Sequence, residues 1–456
     1  MTLAGKPKDT TTIRFKETRM SHSAPPLYVH DVIDQRPLGR IQLGAIAMCI
    51  LIAVLDGFDA QIIGMLAPAI AKQLAIPVSS FTPVFVAGQV GMLIGAVLLA
   101  PLADKYGRKL IIVASTLIFG GLTMATAFAT TIDQLALLRL LTGVGLGGAL
   151  PNAIALAAEY SPKRHARTTV ATLMCGMPLG AVLGGLSSSV LLPIYGWQSL
   201  FIFGGVLPLI VALFAMMMLP ESARYLAAKA GAGQRLTNLM RRVAPDLDQG
   251  QRYAAVSQNA SKVLLRELFT DGRARGTILL WIPYFMNLVV IYFIVSWLPS
   301  VLTAAGHLPT SGIAALSSFS VGGVIGCLIQ GPLMNRYGAR KVLLIQLVSY
   351  AMFAAILAQY TQNLAVTVAL CMMIGVAVNA AQAGFNVMAS EIYPTHMRAT
   401  GIGCAVGAGR VGSICGPVAG GTLLAAGWDA SSIFLAGVIP ALIAATAVAL
   451  NRQHAD

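Results

Sequence analysis

Charge is what this sequence has least of. Only 11% of its 456 residues are Asp, Glu, Lys or Arg, against about 25% in a soluble domain. Acidic residues are the scarcer kind, 17 against 31 basic ones. A deficit this deep excludes an ordinary water-soluble globule, because most of the surface must face something other than water. Cysteine is sparse as well. The six, Cys49, Cys175, Cys327, Cys371, Cys404 and Cys415, all sit within apolar runs and give no support to a disulfide framework or a metal site. The sequence has no phosphate loop, nucleophile triad or metal cluster, so an enzyme or a resident cofactor is not expected. Nor does it alternate apolar and polar residues in segments of about ten, which excludes strands as the spanning element.

What is abundant is apolar sequence. Hydrophobic residues make up 57% of the chain and fall in runs of about 20, the length that crosses a ~30 Å hydrocarbon core as helix. Twelve runs are expected to span: 42–70, 82–103, 110–130, 134–158, 168–193, 198–219, 276–302, 311–334, 342–360, 364–390, 399–426 and 430–450. The fold class is therefore an all-α polytopic membrane protein. Residues 1–41 form a tail without a signal-peptide pattern, so the first span is expected to serve as the export signal, and Met20 is an alternative start.

The net charge of +14 raises the question of a nucleic-acid partner. Its placement answers against one. Arg139 and Arg410 fall inside apolar runs and Lys72 in the first outward loop; the remaining Lys and Arg fall in the termini and every second loop. That distribution places both termini in the cytoplasm.

The sequence also repeats itself. Asp104-Lys105-Tyr106-Gly107-Arg108-Lys109 after the second span returns as Asn335-Arg336-Tyr337-Gly338-Ala339-Arg340-Lys341 after the eighth. Glu159-Tyr160-Ser161-Pro162 returns as Glu391-Ile392-Tyr393-Pro394, and Gly205-Val206-Leu207-Pro208 as Gly437-Val438-Ile439-Pro440. One nearly constant displacement implies two six-helix bundles in parallel repeat, 42–219 and 276–450. A charged cytoplasmic linker, 220–275, is expected between them, with a short tail at 451–456. A site between the halves near the midplane, reached by rocking one half against the other, follows from such a repeat.

The Asp104–Lys109 run and its degenerate repeat resemble the signature loop of the major facilitator superfamily, and Pro220-Glu221-Ser222-Ala223-Arg224 is similar to the segment many members carry after span six. Asp56-Gly57-Phe58-Asp59 resembles the first-span motif of the aromatic acid:proton symporters. Leu138-Arg139 through Gly148, Pro151-Asn152, and Glu391 through Arg398-Gly401 with Arg410 beyond are similar to that family too. The resemblance implies proton-coupled uptake of a hydroxybenzoate or related aromatic carboxylate across a bacterial inner membrane. It implies the substrate, protons and lipid as partners, and a monomer. Asn335 stands where many members carry Asp, which sets the second-half gate apart from the first.

Ionisable groups at membrane depth are costly and usually functional. Asp56 and Asp59, three apart, share a helix face and are candidates for proton coupling. Asp59 lies ~25 Å along its span and Arg139 ~8 Å into its own from the other direction, depths that allow Arg139 to pair with either acid. The bland alternatives are wet, idle carboxylates and an arginine snorkelling at the interface. Arg410, ~15 Å deep, either binds a substrate carboxylate through its planar fork or locks helices through a permanent pair. With Arg139 and Arg410, the candidate substrate-binding residues are Phe58, Asn152, Tyr284, Tyr292, Asn379, Gln382 and Asn386. Phe85, Trp297, Phe319, Phe385, Gln89 and Gln330 are further stacking or hydrogen-bonding groups, most of the aromatics being expected to serve packing. Asp104, Arg108, Glu159, Glu391 and Arg398 are read either as helix-end charges or as a gating latch that breaks as the halves rock. The glycine series Gly412, Gly416, Gly420, Gly421 is read as close helix packing rather than an antiporter motif. A proton-driven exporter and a non-transporting sensor remain the competing functions.

Overall fold

The computed structural model describes residues 27–229, 231–244, 253–254, 265–270, 272–394 and 397–451. Sixteen α-helices carry almost all of the described chain. They are α1 Val29–Asp34, α2 Arg40–Leu74, α3 Thr82–Tyr106, α4 Arg108–Thr126, α5 Ile132–Tyr160, α6 Lys163–Met174, α7 Gly176–Met218, α8 Ala223–Ala228 and α9 Gly233–Val243. After the linker come α10 Ala274–Ala304, α11 Pro309–Tyr337, α12 Ala339–Gln359, α13 Leu364–Ile392, α14 Arg398–Ala425, α15 Ala430–Ala436 and α16 Val438–Leu450.

Eleven helices among the described residues are long and apolar enough to cross a membrane. One of them, Lys163–Met218, has 56 residues, well over twice the ~20 that one crossing needs. It breaks at Gly196, whose φ of 75° lies in the left-handed region open to glycine. Two crossings therefore meet there, at the gap between the sequence-predicted runs 168–193 and 198–219. The third span is shorter than its apolar run of 110–130, because α4 ends at Thr126. Hydropathy carries on through Ala127–Ala129, but the Thr131 side chain accepts from the Gln134 N–H and starts α5.

The sequence repeat is also a conformational repeat. Gly107 between α3 and α4 has φ 103°, ψ 145°, and Gly338 between α11 and α12 has φ 82°, ψ 148°. A Cβ at Gly107 would collide with the Glu221 carboxylate, so this corner needs glycine twice over.

Residues 42–219 pack chiefly through α3 on α5, α2 on α7 and α4 on both α5 and α7. Residues 276–450 pack through the related pairs α11 on α13, α10 on α14 and α12 on α13. The glycines of α14 serve that packing: Cβ atoms at Gly412 and Gly416 would strike the Phe285 and Val289 carbonyls of α10, and one at Gly420 the Trp297 indole. Between the two sets, α2 meets α10, α7 meets α11 and α3 meets α14. The close approaches there run from mid-span toward the end of the bundle away from the linker. They include Gly64 on the Val295 carbonyl, Gly185 on Ser317, Gly421 on Thr82, and Phe85 edge-on to Trp297 at 5.0 Å.

At the linker end, α1 buries Val29, Val32 and Ile33 in one apolar cluster with Leu226, Leu236, Leu239 and Met240 of α8 and α9. Leu27 and Tyr28 pair in parallel with Tyr253 and Ala254. Lys163 clamps this assembly to the start of α6: its N–H donates to Asp34 Oδ1 at 2.9 Å and its Nζ lies 2.8 Å from Oδ2. Burial works against the Asp34 carboxylate, but the Lys163 hydrogen bonds and charge outweigh it and hold it below the ordinary carboxylate value.

Candidate functional site

Asp56 and Asp59 face inward from the middle of α2, 0% and 1% exposed. Arg139 of α5 is 4% exposed and donates through Nη1 to Asp59 Oδ2 at 3.0 Å. The Thr123 hydroxyl donates to Asp59 Oδ1 at 2.5 Å. Arg139 Nη2 donates to Thr126 Oγ1 at 3.2 Å, and the guanidinium lies over the Phe201 ring at 5.3 Å. Arg139 is thus wholly enclosed by protein and does not snorkel. Two charges removed from water must compensate each other and satisfy their remaining hydrogen-bonding capacity. Thr123 and Thr126, three apart on one face of α4, do much of that.

Asp56, one turn nearer the linker end, is different. Neither of its carboxylate oxygens has a hydrogen-bond partner in the protein. The charges that act on it are Arg410 of α14, from the other half, and Asp59. Tyr292 of α10 lies beside Arg410 and within reach of Asp56, and is 8% exposed. Asp56, Arg410 and Tyr292 therefore lie within electrostatic range of one another where the two halves join. Arg410 is only partly buried, and its own backbone carbonyl accepts from the Ser413 hydroxyl at 2.6 Å.

A polar ladder runs toward the linker end between α10 and α13. Tyr284 Oη donates to Asn386 Oδ1 at 2.7 Å, and Asn287 Nδ2 to Gln382 Oε1 at 2.9 Å and to the Val378 carbonyl at 3.2 Å. Asn379 turns back on its own helix, donating to the Gly375 carbonyl at 3.0 Å. Asn386 is exposed.

Other candidates lie elsewhere. Phe58 is 3% exposed and packs into the first half against Phe203 at 6.0 Å, not toward α10 or α14. Asn152 is buried and donates to the Gly148 carbonyl at 2.8 Å, one turn back. Phe85, Trp297, Phe319 and Phe385 are packing aromatics, with Trp297 Nε1 donating to the Pro417 carbonyl at 2.8 Å. Gln330 and Gln346 exchange hydrogen bonds with each other.

Of the gating candidates, Arg108 and Glu159 form a network inside the first half. Arg108 Nη1 lies 2.6 Å from Glu159 Oε1, and the Ser222 hydroxyl donates to Glu159 Oε2 at 2.6 Å. Glu221 Oε1 accepts from the Lys109 N–H at 3.1 Å, and its carbonyl from Tyr160 Oη at 2.6 Å. Asp104 and Glu391 are exposed, and Arg398 Nε donates to the Tyr393 carbonyl at 3.4 Å. In this state Arg108 and Glu159 tie the α3–α4 corner to the end of α5 rather than one half to the other.

Sequence reading did not single out Thr123, Thr126, Thr142, Asn287, Gln61 or Ser320. The Ser320 hydroxyl donates to Gln61 Oε1 at 3.3 Å across the two halves. Hydroxyls and amides are common in apolar spans, and only the three-residue spacing of Thr123 and Thr126 carried a signal. Among the described residues no three of His, Cys, Asp or Glu cluster as metal ligands.

Two repeated six-span bundles with ionisable groups buried at their junction define a multi-pass membrane transporter. Comparison with known proteins gives its family. The family model described as Major Facilitator Superfamily matches residues 49–330 and 307–455, and the chain belongs to that superfamily. It is 38% identical over 435 residues to a 4-hydroxybenzoate transporter of Pseudomonas putida, covering 94% of this chain and 97% of that one. A gallate transporter of Pseudomonas putida is 34% identical over 427 residues, with 93% and 95% covered. A benzoate transport protein of Acinetobacter baylyi is 31% identical over 436 residues, with 93% of each covered. The chain is a transporter and not an enzyme.

Proposed function

We propose that the chain takes up an aromatic carboxylic acid of the hydroxybenzoate class together with protons, by alternating access across a bacterial inner membrane. The observation that carries the reading is the junction of Asp56, Arg410 and Tyr292 beside the Asp59–Arg139 pair. Arg410 offers a planar fork to a carboxylate, and Tyr292 a hydroxyl and an aromatic face. Asp56, lacking any protein hydrogen bond, is the acid whose environment changes most when an anion arrives at Arg410 or the halves rock. The relatives' substrates, 4-hydroxybenzoate, gallate and benzoate, share a carboxylate on a ring.

The positive-inside distribution supports cytoplasmic termini. With that orientation, the close approaches between the halves lie from mid-membrane outward, which supports an inward-facing state. The exposed Asn386, about 9 Å from the linker-side end of α13, fits the mouth of a water-filled cavity on the cytoplasmic side.

The test is uptake of labelled 4-hydroxybenzoate by reconstituted vesicles with and without an inward proton gradient. Accumulation that follows the gradient supports symport. Efflux driven by the opposite movement would make the chain an exporter, and binding without flux a sensor.

A further inference from the structure

A small recess lies beside the Asp59–Arg139 pair, where α2, α3, α5 and α10 meet. It encloses about 30 Å³, enough for a water molecule or two. Three of the residues lining it carry buried polar atoms with no protein partner: Gln89 Oε1, Thr142 Oγ1 and Arg139 Nε. Thr142 is 1% exposed and Arg139 4%. Three such atoms around one recess are too many to be left unsatisfied without cost.

Their chemistry selects the occupant. Arg139 Nε can only donate, Gln89 Oε1 can only accept, and the Thr142 hydroxyl can do either. A bare cation would face the Arg139 guanidinium, and an anion the Gln89 carbonyl oxygen. Water, with two donors and two acceptors, fits all three.

We propose that the recess is a built water site, and that the water held by Gln89, Thr142 and Arg139 is the last carrier of the proton to Asp59. This deepens the proton-coupled reading and rests on it. The ionisable groups facing this region are Asp59 and Asp56 from α2, Arg139 from α5, Tyr292 from α10 and Arg410 from α14; α3 contributes Gln89, and α4 contributes Thr123 and Thr126. Thr123 and Arg139 already occupy both oxygens of Asp59. A proton taken up by Asp59 removes the charge that holds Arg139 and so loosens that bond. Water on Arg139 Nε is placed to solvate the freed guanidinium while it gives one proton to Asp59 and takes one from water further along the entry path, remaining neutral. Ser296 and Tyr292 border the recess from the second half, so rocking alters its wall and the water's access.

The test compares Thr142→Val, Gln89→Leu and Thr142→Ser in reconstituted vesicles. Two fluxes of labelled 4-hydroxybenzoate are measured: gradient-driven uptake, and counterflow exchange at equal pH. Thr142→Val and Gln89→Leu are expected to lose about tenfold or more of driven uptake, the scale of one hydrogen bond in the path, with counterflow kept. Thr142→Ser is expected to restore driven uptake. Undiminished driven uptake in both apolar variants overturns the relay, and so does parallel loss of both fluxes that Thr142→Ser fails to rescue. A wild type indifferent to the gradient overturns the symport reading and the relay with it. The water site is then judged separately, by density within hydrogen-bonding reach of Thr142 and Gln89 in a high-resolution experimental map; a recess without such density overturns it.

Discussion

At the scale of single residues, the buried pair of Asp59 and Arg139 sets the energetic stakes. Removing one partner of such a pair leaves an uncompensated charge and costs about 3–5 kcal/mol. Arg139→Leu should therefore lower thermal stability in detergent sharply, while Asp59→Leu/Arg139→Leu should recover much of the loss. A double variant as unstable as the sum of the singles would show that the two residues act independently. Arg410→Lys keeps the charge and loses the fork. It should raise the apparent KM for 4-hydroxybenzoate about tenfold, the value of one charge-assisted hydrogen bond, with the fold intact. An unchanged KM in a poorly folded variant would make Arg410 a structural residue instead. Much of this site was legible because charge in an apolar run is rare: Asp56, Asp59, Arg139 and Arg410 stand out by type alone. The structure resolves one choice that spacing left open, giving Arg139 to Asp59 and leaving Asp56 to face Arg410. Phe58 and Asn152 were harder to read, because an aromatic or amide beside a functional acid looks the same whether it faces a cavity or its own bundle.

At the scale of the helix, the α10–α14 seam depends on side chains that are absent. A Cβ at Gly416 would meet the Val289 carbonyl and the Phe293 N–H, whereas one at Gly407 has nothing within 4 Å. Gly416→Val should sharply reduce the yield of folded protein, and Gly407→Ala should leave it unchanged. Equal yields of the two variants would refute the packing role of the stripe. Helix existence was readable from hydropathy, and the duplicated corners from the repeat. The break at Gly196 and the early end of α4 follow from backbone conformation and capping, to which hydropathy is blind. Lys163 and Asp34 illustrate the remaining limit. They stand 129 positions apart in the chain, and nothing in the local sequence of either announces the other. Their clamp is strongest where Asp34 is ionised, so its contribution holds at neutral pH and is lost as the pH falls through the lowered value of that carboxylate.

At the scale of the whole molecule, the two halves make their close approaches away from the linker end and bury a site between them. Gly64 sits against the Val295 carbonyl at that contact. Gly64→Leu should pry the halves apart there, and thiol labelling of Ser296→Cys from the side away from the linker should rise severalfold in its presence. Unchanged labelling would mean that α2 and α10 do not form the closed gate. In the proposed cycle Asp56 and Asp59 couple this rocking to protons. The most direct test is concentrative uptake of labelled 4-hydroxybenzoate into vesicles holding wild type, Asp59→Asn or Asp56→Asn, with and without an imposed proton gradient. Wild type should accumulate substrate only with the gradient, and each variant should lose accumulation while Asp59→Asn keeps some exchange across the membrane. If both variants still accumulate substrate in response to the gradient, the coupling does not reside in these two carboxylates.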